Sequence, residues 1–445
     1  MTEPDTSPTL PKARGLAVLS AMRAAADPER FFSQCLIEQG NPFCVQLPGV
    51  GDIYMTSCPE GAKEIFSAKI DAFKPVLPNP IEPLLGPSSL ILLGGARHRR
   101  ERKLLAPPFM GERMRAYAEL ICEVTQQQIQ RYERGSVVVA QELTQSITLR
   151  VIIRAIFGIT DPARRELYAQ CITDYSDRYT PSLLVLPFMR RRMAGLSPWA
   201  KFADAYKHFD ALLQEDIELR RESAHAERTD ILSLLLDLRY DDGEPLTDTE
   251  LKDELRTMLV AGHETTATAL AWALFYLHHE PQLVETLRHH IDALPDSGPA
   301  GLSDEPYLIA VCQEALRRHP VVPIVLRRVC KPFTLRGHTI EEGKAVGVAV
   351  TLLHTHEGTW KNPLAFDPSH FIDRKYSPFE FAPFGGGARR CLGASFASFE
   401  MKLVLGTLIR DHHFKLRTTK PPRPVTRSIT MAPTDPIELL WNGNR

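Results

Sequence analysis

The sequence predicts a mainly α protein with small β-sheets, and three observations carry that prediction. Apolar residues recur at helical spacing through most of residues 59–280. Strand-like alternation is confined to three patches, about 42–57, 325–350 and 425–441. Between them lies one unusually long helical signal that starts at Thr247 and runs to Pro281. The 445 residues show no linker or low-complexity break, so one large helix-rich domain is expected, with its helical core at about 59–320 and 392–410. The 35 prolines suit many short helices joined by irregular connections.

Each element follows from local chemistry. Residues 42–57 (PFCVQLPGVGDIYMTS) alternate around a Pro-Gly turn and predict a hairpin. Helical runs follow near 112–133, 140–157, 163–178, 200–223 and 228–238. In LTDTE, Thr247 and Glu250 have the spacing of a capping box, so the long helix should begin there. From Leu255 to Leu277 it is apolar nearly all round, which predicts burial. A helix from Pro306 to Arg318 and another from Leu392 to about Arg410 complete the helical set.

Composition excludes several classes. The chain is 44% hydrophobic and 24% charged, as expected of a globular protein with a sizeable core. A net charge of −1 and a pI near 7.0 offer nothing to nucleic acid or to an acidic membrane surface. The N-terminal stretch has acids before its first basic residue, and no segment reaches ~18 uninterrupted apolar residues. A soluble cytoplasmic protein without a membrane anchor is therefore expected. The eight cysteines are scattered with no CxxC pair, which argues against a zinc site or a disulfide framework.

Four places could carry chemistry. The long helix holds AGHETT (Ala261 to Thr266), where Gly262 weakens a helix and Glu264 with Thr265 and Thr266 is costly in an apolar interior unless satisfied. It reads either as a bend where threonine bonds back to a carbonyl, or as an opening where an acid and an alcohol deliver protons. HETTA lacks the second histidine of a zinc helix. In EALR, Glu314 and Arg317 lie one turn apart and read as a surface ion pair. In HRRER, His98 and Arg102 share a face that reads as solvated.

Cys391 is the fourth. It precedes a helix, follows Gly385, Gly386 and Gly387, and has Arg389 and Arg390 beside it. Unsatisfied N–H groups and positive charge favour thiolate over thiol. Consecutive glycines let backbone approach a flat object. A thiolate ligand to the metal of a planar cofactor fits this best; a nucleophilic cysteine or a phosphate cradle remains open on these grounds alone.

These residues together resemble the cytochrome P450 family of haem-thiolate monooxygenases. Phe384, Gly387, Arg389, Cys391 and Gly393 meet FxxGxRxCxG in full, and AGHETT, EALR and HRRER match three further motifs in the family's order. The resemblance covers nearly the whole chain and implies one cytochrome P450 domain over 1–445. It implies haem b with Cys391 as axial iron ligand, and His98, Arg102, Arg328 and Arg389 as partners of its propionates. Phe384 would pack on the sulfur side, Glu264 and Thr265 would form the proton-delivering pair, and Glu314 and Arg317 would belong to a structural network. One departure stands out: the network's usual arginine, in P-x-R-F, is His370 in PSHF here.

The function so implied is oxygen insertion into a C–H bond of a lipophilic molecule, terpenoid, steroid or fatty-acid-like, using O2. Electrons would come from a ferredoxin and ferredoxin reductase on separate chains, and the bacterial-type enzyme would be a monomer. A haem-thiolate peroxygenase or isomerase is the second class, disfavoured because the Glu264–Thr265 pair is kept. A non-catalytic haem protein that binds a gas is the third. By the same resemblance the substrate would meet residues 75–92, Leu255 to Ala261, Val321 to Val325, and Ser428 to Met431.

Overall fold

Thr247 does begin the long helix. In the computed structural model its hydroxyl accepts from the Glu250 amide and the Glu250 carboxylate accepts from the Thr247 amide, after which the helix runs unbroken from Asp248 to His279. The structure describes residues 10–13, 16–109, 112–185, 189–192, 197–222, 230–295, 298–418, 420–427 and 430–445. They gather into two compact units, each drawn from separated stretches of chain.

The first unit takes in residues 1–78, 309–394 and 421–435. Its centre is a five-stranded sheet in the order Phe43–Leu47, Gly51–Thr56, Ala345–Ala349, Ile324–Val329, Phe73–Lys74. Pairing is antiparallel except between Gly51–Thr56 and Ala345–Ala349. Both faces are covered, and strand parity sorts the side chains. Ala345, Ala349, Ile53 and Met55 pack with Phe31 and Phe32 on one face. Val346, Val348 and Val329 pack with Ala62, Ile65 and Phe66 of the helix Pro59–Phe66 on the other. The expected hairpin over 42–57 is present, and the patch 325–350 supplies two central strands plus the small pair Phe333–Leu335 and His338–Ile340.

The second unit takes in residues 79–308, 395–420 and 436–445. The long helix packs along Ala140–Ala155, where the Thr144 and Thr148 hydroxyls donate to the Ala267 and His263 carbonyls at 2.9 and 3.0 Å. Other helices are Ala118–Ile129, Pro162–Arg178, Pro198–Glu222, Ile231–Asp237 and Pro281–Asp292. The first four fall where periodicity predicts, whereas Pro281–Asp292 lies beyond the predicted runs; residue 223 of the run 200–223 and the first two residues of the run 228–238 lie outside the described residues. A three-stranded sheet pairs Val137–Val139 and His412–Leu416 with Glu438–Asn444. Sequence reading misses Phe73–Lys74, Val137–Val139 and His412–Leu416, because two- to five-residue strands are too short to show a period.

Candidate active site

Cys391 sits outside its helix, which begins at Ala394 rather than at Leu392. Its amide donates to the Phe384 carbonyl at 2.9 Å, closing a loop that contains the short 3-10 turn Gly387–Arg389. Cys391 is exposed, whereas Cys44, Cys58 and Cys312 are buried, and burial pushes the Cys44 thiol up to about 11. Gly387 meets a need within the protein itself. Gly387 has φ +66°, and a Cβ there would lie 2.2 Å from the Phe66 carbonyl oxygen. This glycine lets the loop pack on the end of Pro59–Phe66, so its tight contact is with protein. Phe384 is half-buried, and a Cβ at Gly393 would meet nothing within 4 Å, so packing does not explain that glycine.

The arginine assignment needs correction. Arg327 and Arg328 are neighbours on the strand Ile324–Val329 and therefore point to opposite faces. Arg328 shares parity with Ile324 and Leu326 on the Phe31–Phe32 side, where it donates to the carbonyls of Val50 (3.0 Å) and Gly343 (2.9 Å). Arg327 shares parity with Val325 and Val329 on the Phe66 side, the side on which Gly387 packs. Desolvation and the charge of Arg389 pull Arg327 down to about 10. Among the described residues its guanidinium makes one hydrogen bond, to its neighbour's carbonyl, that of Leu326 at 2.8 Å, with no carboxylate in salt-bridge range. Arg327 thus meets the positive charge of Arg389 with no carboxylate of its own among the described residues.

Glu314 and Arg317 are fully buried rather than on the surface. Arg317 grips Glu314 through Nε (2.7 Å) and Nη2 (2.6 Å), and spends its other protons on the carbonyls of His354, Pro363 and Ala365. Glu314 also accepts from the Asp367 amide at 2.8 Å. His370 completes the set: Nδ1 lies 3.2 Å from Glu314 Oε1 and Nε2 lies 2.6 Å from the Lys361 carbonyl. Both ring nitrogens face acceptors, so the ring is held as imidazolium, and Glu314 raises its pKa above the ordinary value. The histidine thus donates in two directions, as an arginine would.

His354 ties this network to the cysteine loop. Its Nε2 accepts the Ala382 amide at 2.9 Å, which leaves Nδ1 to donate to the Arg317 carbonyl at 3.2 Å. Burial and the nearby Arg317 hold it neutral, with a pKa of about 3.

In the second unit, the long helix is not buried all round. Residues 262–265 are half-buried and Ala261 is exposed, in a helix whose next ten residues are buried. Thr265 donates to the Ala261 carbonyl at 2.6 Å and Thr266 to that of Gly262 at 2.9 Å. Back-bonding and opening therefore coexist, and Glu264 and Thr265 stand in the open stretch. Glu400, on the helix Ala394–Asp411, reaches the Thr266 hydroxyl; burial lifts its pKa to about 8. On Gly95–Leu105, His98 is buried and Arg102 half-buried while Arg97, Arg99, Arg100 and Lys103 are exposed, so the expected solvated face holds only for the latter four.

The Cytochrome P450 family model matches residues 13–441. The chain belongs to the cytochrome P450 family. Cytochrome P450 138 of Mycobacterium tuberculosis and Mycobacterium bovis is 33% identical over 415 residues, covering 92% of this chain and 90% of its own. Cytochrome P450 135B1 of Mycobacterium tuberculosis is 34% identical over 412 residues, covering 91% and 85%. Among solved structures, retinoic acid bound cyanobacterial CYP120A1 superposes with a TM-score of 0.87 at 25% identity, covering 98% of this chain and all of that one. The P450 is accordingly an oxidoreductase of the monooxygenase class that carries haem on a cysteine thiolate. No helix among its described residues is long and apolar enough to cross a membrane.

Three groups near the motifs escape sequence reading. Strand parity could have flagged Arg327 over Arg328, given the correct pairing. Buried His354 and Glu400 carry no signal beyond being polar residues in apolar surroundings.

Proposed function

We propose that this P450 hydroxylates a lipophilic small molecule with O2, using electrons from a separate ferredoxin and its reductase. The observation that carries the reading is the exposed Cys391 thiol on a braced loop, with Arg327 under the positive charge of Arg389 and no carboxylate in its salt-bridge range among the described residues. A soft thiolate and a guanidinium pair suit an iron-bearing plane with acidic substituents. Cys391 would be the axial ligand, and Arg327, in place of Arg328, would join Arg389, His98 and Arg102 as a propionate partner. When bound, the haem supplies the oxygen activation that allows insertion into a C–H bond.

The remaining work falls to side chains. Glu264 and Thr265 would pass protons, Thr265 through the hydroxyl now donating to Ala261. Their retention favours the monooxygenase over a peroxygenase or isomerase. Glu314, Arg317 and His370 would hold the scaffold under the cysteine loop through His354. An apolar substrate is supported by the open stretch itself, which begins at Val260 and Ala261, and by the relative whose structure holds retinoic acid, a lipophilic isoprenoid. Thr430 and Met431 of the expected substrate residues are buried in the strand Thr430–Pro433, and Ser428 and Ile429 lie outside the described residues.

The test is spectral. Wild-type protein, reduced under carbon monoxide, should give a thiolate-ligated spectrum that Cys391→Ala abolishes, and lipophilic compounds should displace the water on the ferric iron. Survival of the thiolate spectrum in Cys391→Ala sinks the ligand assignment, and a response to polar compounds alone sinks the substrate class.

A further inference from the structure

Two consecutive acids on the long helix, Asp253 and Glu254, do nothing in the chemistry above, yet both are buried to within 2% exposure. Each accepts a backbone amide from one irregular stretch of chain. Asp253 Oδ2 takes the Ser88 N–H at 2.8 Å and Glu254 Oε1 takes the Leu90 N–H at 2.7 Å. Between them the Ser89 hydroxyl meets the Thr257 hydroxyl at 2.7 Å. The approach is close enough to need a glycine: Gly86 has φ +90°, and a Cβ there would lie 2.0 Å from Asp253 Oδ1. The stretch before this strap is fastened too. The Tyr175 hydroxyl donates to the Leu84 carbonyl, and the Tyr179 hydroxyl and Arg190 donate to that of Pro80.

The two acids hold on differently. Asp253 is charge-paired, with Arg256 Nη2 at 2.5 Å from its Oδ1, and Arg256 in turn reaches Asp210 at 2.7 Å. Glu254 has no basic group in salt-bridge range among the described residues, and the Leu90 amide is its hydrogen-bond donor. A buried carboxyl spent on one loop amide marks that amide's position as the reason for the residue.

What that position controls follows from helix geometry. Asp253, Thr257, Ala261 and Thr265 succeed one another at i, i+4 along a single ridge of the helix. The strap covers the ridge at Asp253 and Thr257. One turn on, about 6 Å, the ridge opens at exposed Ala261 and leads to the Thr265 hydroxyl. Ser88–Leu90 is therefore fastened to the helix one turn before the open stretch. We propose that Asp253 and Glu254 are positioning residues that set how large a molecule reaches Glu264 and Thr265, by fixing the strap Gly86–Leu93 on the helix. The size-selective part of this inference rests on the monooxygenase reading.

The test uses the haem-loaded protein with Glu254→Leu, which removes the acceptor but keeps apolar volume, Glu254→Gln, whose amide oxygen still accepts, and Thr257→Val. Hydrogen exchange is read at residues 86–93, and binding of imidazole and of the bulkier 1-phenylimidazole is read from the haem spectrum. Glu254→Leu should speed exchange in 86–93 about tenfold, with residues 266–279 unchanged, and should narrow the affinity gap between the two azoles several-fold. Thr257→Val should do the same more weakly, and Glu254→Gln should behave as wild type. Unchanged exchange in 86–93 overturns the strap, as does equal loosening along the whole helix. Faster local exchange with the same azole discrimination overturns the positioning role. A wild-type protein that shows no haem spectrum would instead defeat the monooxygenase reading and with it the size-selective role, while the exchange arm still decides whether the acids hold the strap.

Discussion

Two clusters of arginine in the same unit are built on opposite principles. Around Arg317, every charge is answered: the guanidinium has Glu314 and three carbonyls, and Glu314 has Arg317, His370 and the Asp367 amide. Around Arg327, burial and the charge of another arginine, Arg389, pull the guanidinium down from its ordinary value. Burying charge is costly in both places, so protein that leaves one of them unbalanced does so where something else supplies the anion. The first cluster is balanced within the protein, which is why we propose it as scaffold; the second leaves Arg327 without a carboxylate among the described residues, which is why we propose it as a propionate partner. Sequence proximity hides this, since Arg317 and Arg327 are only ten positions apart.

The contrast can be broken most sharply at the balanced cluster. Arg317→Leu leaves Glu314 buried with only His370 and the Asp367 amide to meet its charge, and should cost about 3–5 kcal/mol of stability, read as loss of folded, haem-loaded protein. A stable apoprotein with normal melting would show that the cluster is not scaffold. Next in size is Arg327→Leu. Removing one of two like charges should leave apoprotein stability within about 1 kcal/mol of wild type, while transfer of haem to an acceptor protein runs about tenfold faster. Equal losses in the two measurements would erase the distinction between the clusters.

The smallest effect concerns His370. Its folded pKa lies above the ordinary 6.5 because Glu314 favours the protonated ring. The stabilisation it contributes is therefore complete below about 6.5 and is lost as pH rises through the folded value. Denaturation at pH 6 and pH 9 should show wild type losing about 1 kcal/mol more than His370→Arg, whose charge persists. Identical pH slopes in the two proteins would mean that the imidazolium is not the form held in the cluster.

Much of the fold and the core of the site is legible in the sequence, for reasons that differ by residue. Thr247 and Glu250 announce the long helix because a capping box needs only four consecutive residues. Cys391 stands out because glycine, arginine and thiol fall within seven positions. Glu314 and Arg317 are recognisable as a pair, but their burial is not, since an i, i+3 ion pair looks the same on a surface as in a core. The long helix is misjudged at Ala261 for the converse reason: an apolar residue in an exposed stretch of an otherwise apolar helix reads as core.

What the sequence by itself determined is thus the set of local devices: the capped helix, the cysteine loop, and the order of four motifs along one chain. Tertiary structure alone decided which arginine turns toward Arg389, which carbonyl Gly387 must clear, and that His354 bridges Arg317 to Ala382. It also decided that Asp253 and Glu254 hold Ser88 and Leu90, partners 165 and 164 residues away. Short-range devices are encoded by residue type and spacing. Pairings across such distances depend on how the strands register and the helices pack, and no local pattern records them.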